Sequence, residues 1–393
     1  MNTEPSTRSE HPAGAMLELV SEADLPGAYE LVDTLLEQGW SLERIVTEQL
    51  AEVQREVGTR WQAGRWTVAR EHAATAVVED LLGSLGRHAQ LPTRQATIAL
   101  VCAEGEWHVS AARMAALLFR THRWPITFLG GSTPITDLHR TLEGMRPTFV
   151  AVSCTYPLFL PGAAEVAAVA RRLDIPSLAG GQAFGDTAQR AARLRFDGWA
   201  PSVADASGLL ERWLDRPPSP QSHEGATGRW FDGPPSPQSH EGATGPDDRQ
   251  LEHRWSCIAD QAIQRLANVV PPLLEHHANT VEVVRRDLVE LLRTAHVAAV
   301  CDDPSVFTDH VDWMTRVHPA TGLPHAAVPA SIRILRELSA PLGDRTRAIL
   351  AEAPRDETRQ DETRPDETRQ RGNPRDETRR DDALTGADAG SPR

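Results

Sequence analysis

Between Met16 and Leu85 the apolar residues recur at the spacing of one helix face, as in Leu31, Leu35 and Leu36, then Leu42, Ile45, Val46, Leu50 and Val53. Gly39 and Ser41 separate two of these segments as a stop and an N-cap. Residues 16–90 are therefore expected to form a bundle of three or four short helices. From Gln95 the pattern changes. Short apolar, β-branched runs at 96–104, 125–131, 148–155, 175–181 and 198–202 alternate with alanine-rich segments at 108–122, 136–145, 161–173, 185–195 and 207–215. Strands buried on both faces and separated by helices predict an α/β domain with a doubly wound parallel sheet over 94–214, which takes its ligand at the carboxyl ends of the strands. Helical spacing returns at 251–353, in segments that begin near Leu251, Thr280, Pro304 and Pro324, and predicts an all-α third domain.

The intervening segments have a different character. PPSPQSHEGATG at 217–228 returns at 234–245, so 215–250 reads as a flexible, repeat-containing linker. DETR recurs at Asp356, Asp361, Asp366 and Asp376 with almost no apolar residue, which predicts a disordered tail over 354–393, and the polar residues 1–15 read the same way. The 393 residues thus suffice for three compact domains. A net charge of −14 argues against a sequence-independent nucleic-acid binder, which needs a basic surface. Cys102, Cys154, Cys257 and Cys301 lack CxxC spacing and lie in apolar segments, as expected of free thiols in a reducing compartment. With no signal-peptide pattern and no run of bilayer-spanning length, the expected location is the cytoplasm, without membrane insertion.

The first strand-to-helix connection, CAEGEWHVSAARMAALLF, places Glu106 and His108 at the ligand-binding edge of the sheet. An imidazole there can reach a metal while a carboxylate two residues away bonds its other nitrogen. Alone, the pattern also describes a solvated loop histidine. Ser153 and Thr155 end the third strand, where hydroxyls can bond a buried nucleotide or Glu106, and Gly180 and Gly181 end the fourth, where a ligand's tail can approach the backbone.

Together these residues resemble the cobalamin-binding domain of methionine synthases, base-off mutases and corrinoid proteins, with its Asp-x-His-x-x-Gly, Ser-x-Leu (or Thr) and Gly-Gly motifs. Here the motifs stand as Glu106-x-His108-x-x-Ala111, Ser153-x-Thr155 and Gly180-Gly181, over residues 95–213. Glu for Asp keeps the carboxylate, and Ala111 replaces the glycine. The resemblance implies a Rossmann-like or flavodoxin-like sheet, His108 as the lower axial ligand of cobalt in place of the dimethylbenzimidazole base, and a nucleotide tail threaded past Ser153, Thr155 and the glycine pair.

Upstream, Trp61-x9-Glu71-His72 read alone is a loop-anchoring Trp and a charged pair on a helix. Ahead of such a domain it resembles the helical cap of light-dependent cobalamin photoreceptors, which implies that Trp61, Glu71 and His72 cover the adenosyl ligand of adenosylcobalamin. Where some of those photoreceptors place a His after the Trp, this chain has Gln62. Their helix-turn-helix is not found in the polar residues ahead of the bundle, so no direct DNA binding is expected.

The order of the domains resembles the photocobilins, in which such a unit is joined to a globin-like helical domain that binds biliverdin. The resemblance extends over 16–353 and implies a bilin pocket in the third domain. A linear tetrapyrrole needs an apolar slot, cations for its propionates and an Asp or His at its pyrrole nitrogens. In PSVFTDHVDWMTRVHP, Phe307, His310, Val311, Met314 and Val317 share one face, and the candidates are His310, Asp312, Trp313 and Arg316. The same residues also describe an ordinary helical interaction domain. The function expected is a light sensor, a homo-oligomer whose assembly responds to light, with no enzymatic activity because no segment remains for a catalytic barrel. The rival readings are a corrinoid methyl carrier and a cobalamin-dependent regulator with a helical partner-binding domain.

Overall fold

Among the described residues, four helices begin where a short polar side chain accepts the backbone N–H three residues on: Asp24 from Gly27, Ser41 from Arg44, Thr67 from Arg70 and Ser202 from Asp205. The first three of these caps lie in the amino-terminal bundle. It comprises α1 (Gly14–Ser21), α2 (Leu25–Glu37), α3 (Leu42–Ile45), which runs through a π-helical turn at Val46–Leu50 into α4 (Ala51–Gln62), and α5 (Val68–Leu85). The computed structural model describes residues 13–89, 91–218, 246–270, 280–317, 324 and 326–352. Residues 1–12, most of the repeat-containing linker, the DETR tail, His276, His277, His318 and His325 lie outside the described residues.

Five parallel strands follow, β1 (Ile98–Cys102), β2 (Ile126–Phe128), β3 (Phe149–Ser153), β4 (Ser177–Gly180) and β5 (Gly198–Trp199), in the order β2-β1-β3-β4-β5. The connecting helices are α6 (Val109–Thr121), α7 (Ile135–Met145), α8 (Leu160–Arg172) and α9 (Gln189–Arg193), and α10 (Val203–Asp215) closes the unit. The chain reverses its winding between the adjacent strands β1 and β3. Their carboxyl ends, in register at Cys102 and Ser153, therefore flank the crevice that doubly wound sheets use for ligands.

Both central strands are buried throughout, and alternate residues serve different layers. Ile98, Leu100, Phe149 and Ala151 pack with Phe119 of α6 and Leu210 and Trp213 of α10. Ala99, Val101, Val150 and Val152 belong to a larger core with α7, α8 and the carboxy-terminal helices. On its outer side α6 gives Met114 and Leu117 to the core of the bundle.

The carboxy-terminal region consists of α11 (Pro246–Val269), α12 (Thr280–Cys301), α13 (Ser305–Val317), α14 (Ala327–Glu337) and α15 (Asp344–Glu352). The architecture is thus a helical unit, a parallel α/β sheet and a mostly helical region. Two details differ from the expectation. Helix α11 starts at Pro246, inside the segment read as linker, because a proline suits the first turn of a helix. The GDTAQRAARLR segment forms a helix only over Gln189–Arg193. Among the described residues no helix is long and apolar enough to cross a membrane.

Candidate functional site

The loop after β1 is held from three sides. Gly105 has φ +86° and donates its N–H to Ser132 Oγ at 3.0 Å, and Ser132 N–H returns a bond to the Glu106 carbonyl at 2.9 Å. The Glu106 side chain is buried and its carboxylate is fully engaged. Oε1 accepts the His108 backbone N–H at 3.0 Å and meets His108 Nδ1, and Oε2 accepts the backbone N–H groups of Thr155 at 3.0 Å and Tyr156 at 3.1 Å. With Nδ1 donating to a carboxylate, the neutral ring keeps its lone pair on Nε2.

The electrostatics follow. Burial opposes ionisation of Glu106, but the hydrogen bonds from the His108 ring and backbone, the His108 charge and the Tyr156 N–H outweigh it and hold the carboxyl below its ordinary range. The bond to Glu106 raises His108 above the usual imidazole value against the effect of burial, helped by the charges of Glu106 and Glu71. The Glu71 contribution brings the bundle into the site, since Glu71 lies on α5.

The sequence suggested that hydroxyls of the third strand's end would bond Glu106; backbone N–H groups of Thr155 and Tyr156 do so instead. Thr155 Oγ1 is buried without a hydrogen-bond partner. Ser153 is buried and pairs in register with Gly180. Gly181 has φ +102°, and a Cβ there would stand 2.3 Å from the Cys154 carbonyl, so only glycine fits this close approach of two strand ends.

On the bundle side, Trp61 is half-buried at the end of α4. Glu71 Oε1 accepts the Thr75 hydroxyl at 2.9 Å, and Thr75 in turn accepts Gln54 Nε2. His72 is exposed and lies 3.5 Å from Glu71. The bundle is tied to the sheet by Glu79, which accepts Ser110 Oγ at 2.9 Å and Arg113 Nη1 at 3.0 Å, both from the first turns of α6. Glu79, Ser110 and Arg113 carry no motif that singles them out in the sequence.

In the helical region the expected face of α13 is buried, with Phe307, His310, Val311, Met314 and Val317 inward. His310 and Trp313 stack at 5.6 Å, whereas Asp312 and Arg316 are exposed, so the four candidates do not share one face. His310 Nδ1 instead meets the Tyr156 hydroxyl at 2.9 Å, and that hydroxyl donates to Glu290 of α12 at 2.6 Å. A cavity of about 10 Å³ beside Met314 and an open groove of about 410 Å³ beside Cys257 are lined by none of the four. Cys257 is exposed, contrary to its expected burial, and burial pushes the Cys301 thiol up to about 12, which leaves it unreactive.

Chemically, the donor set around His108 suits a metal held by one protein ligand: a locked Nδ1, a largely exposed side chain whose Nε2 lies outside that bond, and a buried hydroxyl at Thr155 without a partner. Among the described residues no three His, Cys, Asp or Glu side chains gather into a metal cluster, so the remaining coordination would come from a ligand.

Comparison with known proteins agrees. Family models of a B12 binding domain match residues 13–85 and 96–206. Over 139 residues the chain is 34% identical to the HTH-type transcriptional repressor CarH of Myxococcus xanthus, covering 35% of this chain and 46% of that protein, so the chain spans less than half the length of this relative. The monomethylamine corrinoid protein of Methanosarcina barkeri is similar with a TM-score of 0.44 at 15% identity, over 50% of this chain and 95% of that one. A cobalamin-binding protein of Desulfitobacterium hafniense gives a TM-score of 0.28 at 18% identity, over 51% and 97%. Residues 13–85 and 96–206 thus each match a B12 binding domain, and together with the donor set at His108 these matches indicate a corrinoid cofactor.

Proposed function

We propose that the chain is a light-responsive regulator that holds adenosylcobalamin base-off, with His108 Nε2 as the lower ligand and the bundle covering the upper side. The observation that carries this reading is the Glu106–His108 pair, in which a buried carboxylate fixes one ring nitrogen and leaves the other for cobalt. Ser153, Thr155, Gly180 and Gly181 line the path proposed for the nucleotide tail. The unpartnered Thr155 hydroxyl supplies a hydrogen bond there, and the bare glycine backbone lets the tail approach. Trp61 presents an aromatic surface to the adenosyl group, while Glu71 and His72 offer polar contacts to it. The chemistry that such a cofactor supplies is a cobalt–carbon bond that light can break.

The response belongs to the chain. Glu79 holds α5 against Ser110 and Arg113 of α6 through partly exposed contacts, which are weak enough to exchange when the ligand between bundle and sheet changes. We propose that light loosens this contact and alters self-association. Similarity to a repressor supports a regulatory output, and with a net charge of −14 we place that output in protein contacts. An absorption spectrum and a sizing run of the holoprotein, taken before and after green light, test the reading. A changed spectrum and a changed assembly are expected; a protein that keeps methylcobalamin in preference to adenosylcobalamin is instead a methyl carrier.

A bilin in the helical domain is the second part of the proposal, and the stacked His310–Trp313 pair supports it. Biliverdin beside that pair requires side-chain movement that brings Arg316, now exposed, to a propionate and Asp312 toward the pyrrole nitrogens. Coexpression with a haem oxygenase tests it, with a red absorption band that shifts in His310→Ala and weakened bilin binding when Arg316 is lost as the expected results.

A further inference from the structure

Tyr156 is one of two tyrosines in the chain, and it stands where three parts of the molecule meet. Its backbone N–H donates to Glu106 Oε2, next to the identical bond from Thr155. Its hydroxyl donates to Glu290 of α12 at 2.6 Å and accepts from His310 Nδ1 of α13 at 2.9 Å. The ring is flanked by Trp313 at 6.3 Å and by Phe159 at 6.0 Å. Phe159 in turn lies on the His108 loop, since a Cβ on Gly105 would stand 3.0 Å from its ring.

We propose that Tyr156 is a positioning residue through which the carboxy-terminal helices set the Glu106–His108 pair, and so the affinity of the site for its corrinoid. This rests on the reading of His108 as the cobalt ligand. Two helices grip the side chain, and the peptide of the same residue grips the carboxylate. A shift of α12 or α13 against the sheet must either break the hydroxyl's bonds or carry the Thr155–Tyr156 peptide with it. Hydrogen bonds weaken steeply with misalignment, so small displacements of that peptide change how firmly Glu106 holds the ring. A carboxylate that orients a ligating histidine governs metal affinity. Linkage makes the effect reciprocal: whatever binds the helices and favours one position of Tyr156 changes corrinoid affinity, and the corrinoid changes the affinity for that binder by the same factor.

Tyr156→Phe keeps the ring and removes the two hydroxyl bonds, and Glu290→Gln perturbs the same junction from the helical side. Two measurements on the full chain read the result: the affinity for adenosylcobalamin, and the fraction of the bound cofactor that shows the base-off, histidine-ligated absorption spectrum. Both variants are expected to weaken binding several-fold and to lower the histidine-ligated fraction, and the double variant to do little more than the stronger single one. A folded Tyr156→Phe protein with wild-type affinity and a wild-type histidine-ligated fraction overturns the proposal, even if its melting temperature falls, because a merely structural tyrosine would lower stability alone. Should that variant not fold, Glu290→Gln decides on the same two readouts. His108→Ala separates the two claims. If it leaves affinity unchanged, the cobalt-ligand reading has failed; if it abolishes binding while the junction variants change nothing, only the role of Tyr156 has.

Discussion

Only 1% of the Glu106 side chain is exposed, yet the His108 ring that it holds is 64% exposed. The pair is a fixed buried anchor with an open working edge. Its ring nitrogens differ accordingly, with Nδ1 tied to the buried carboxylate and Nε2 outside that bond.

His108→Ala removes the proposed ligand and should abolish base-off binding, seen as the loss of the histidine-ligated spectrum. Glu106→Gln keeps the shape of the anchor but lacks its charge, and should weaken adenosylcobalamin binding by roughly 10- to 100-fold. Unchanged binding in both variants would remove the site from consideration.

Affinity should depend on pH with a defined sign. Ligation needs an unprotonated Nε2, and His108 titrates above the usual imidazole value, so affinity should rise with pH from about 6.5 upward. In Glu106→Gln the rise should begin at lower pH. The stability of the cofactor-free protein behaves differently. The raised His108 contributes fully below its unfolded value, and its contribution fades as pH climbs through the folded one. The lowered Glu106 contributes above its unfolded value, and its contribution is lost as pH falls through the folded one. Thermal melts across pH 4–8 on wild type and His108→Ala, about the ordinary values of these groups, resolve the two contributions.

Trp61→Ala should leave the lower ligand intact and reduce the preference for adenosyl- over methylcobalamin by roughly fivefold, the equivalent of about 1 kcal/mol of aromatic packing. The comparison to make is the ratio of the two affinities in wild type and variant. An identical ratio would show that Trp61 does not touch the upper ligand.

Arg190, on α9, joins the sheet to the helical region. Its side chain is 10% exposed, with Nε at 2.7 Å from Asp303, Nη1 at 2.9 Å from the Ala183 carbonyl and Nη2 at 2.8 Å from Ser305. Arg190→Ala leaves Asp303 without its cation and should cost about 3 kcal/mol, measured by denaturant unfolding. Arg190→Lys should rescue little of this, because an ammonium cannot reproduce the planar fork.

The sheet was legible because its strands are short apolar runs separated by alanine-rich helices, and Glu106, His108, Ser153 and the glycine pair stand at fixed places in that alternation. The bundle followed from its periodicity, although nothing in it announced the π-helical turn at Val46–Leu50. Tyr156, Glu290, Glu79 and Arg190 were not legible, for a physical reason. Each acts through a partner 31 to 154 residues away, and an ordinary polar residue shows no periodicity that points to such a partner. The scarcity of tyrosine, and its place directly after Ser153-Cys154-Thr155, was the one available hint. On α13 the buried face was readable from spacing, but what it packs against was not. His310 therefore looked like a pocket residue when it also bonds a residue of the sheet domain.

The alternation of side chains along β1 and β3 has a consequence for how such a protein can diversify. Odd and even positions of the same strands feed different neighbours, α6 and α10 on one face, α7, α8 and the carboxy-terminal helices on the other. The sheet is thus a partition wall with a separate tenant on each side: the bundle reaches it through the outer face of α6, and the terminal helices share the core of the opposite face with α7 and α8. A replacement of one tenant leaves the other's footings untouched. What they share is a short length of loop at the top of the wall, where Glu106 takes bonds from the residues that follow β3 and feels the helices through Tyr156.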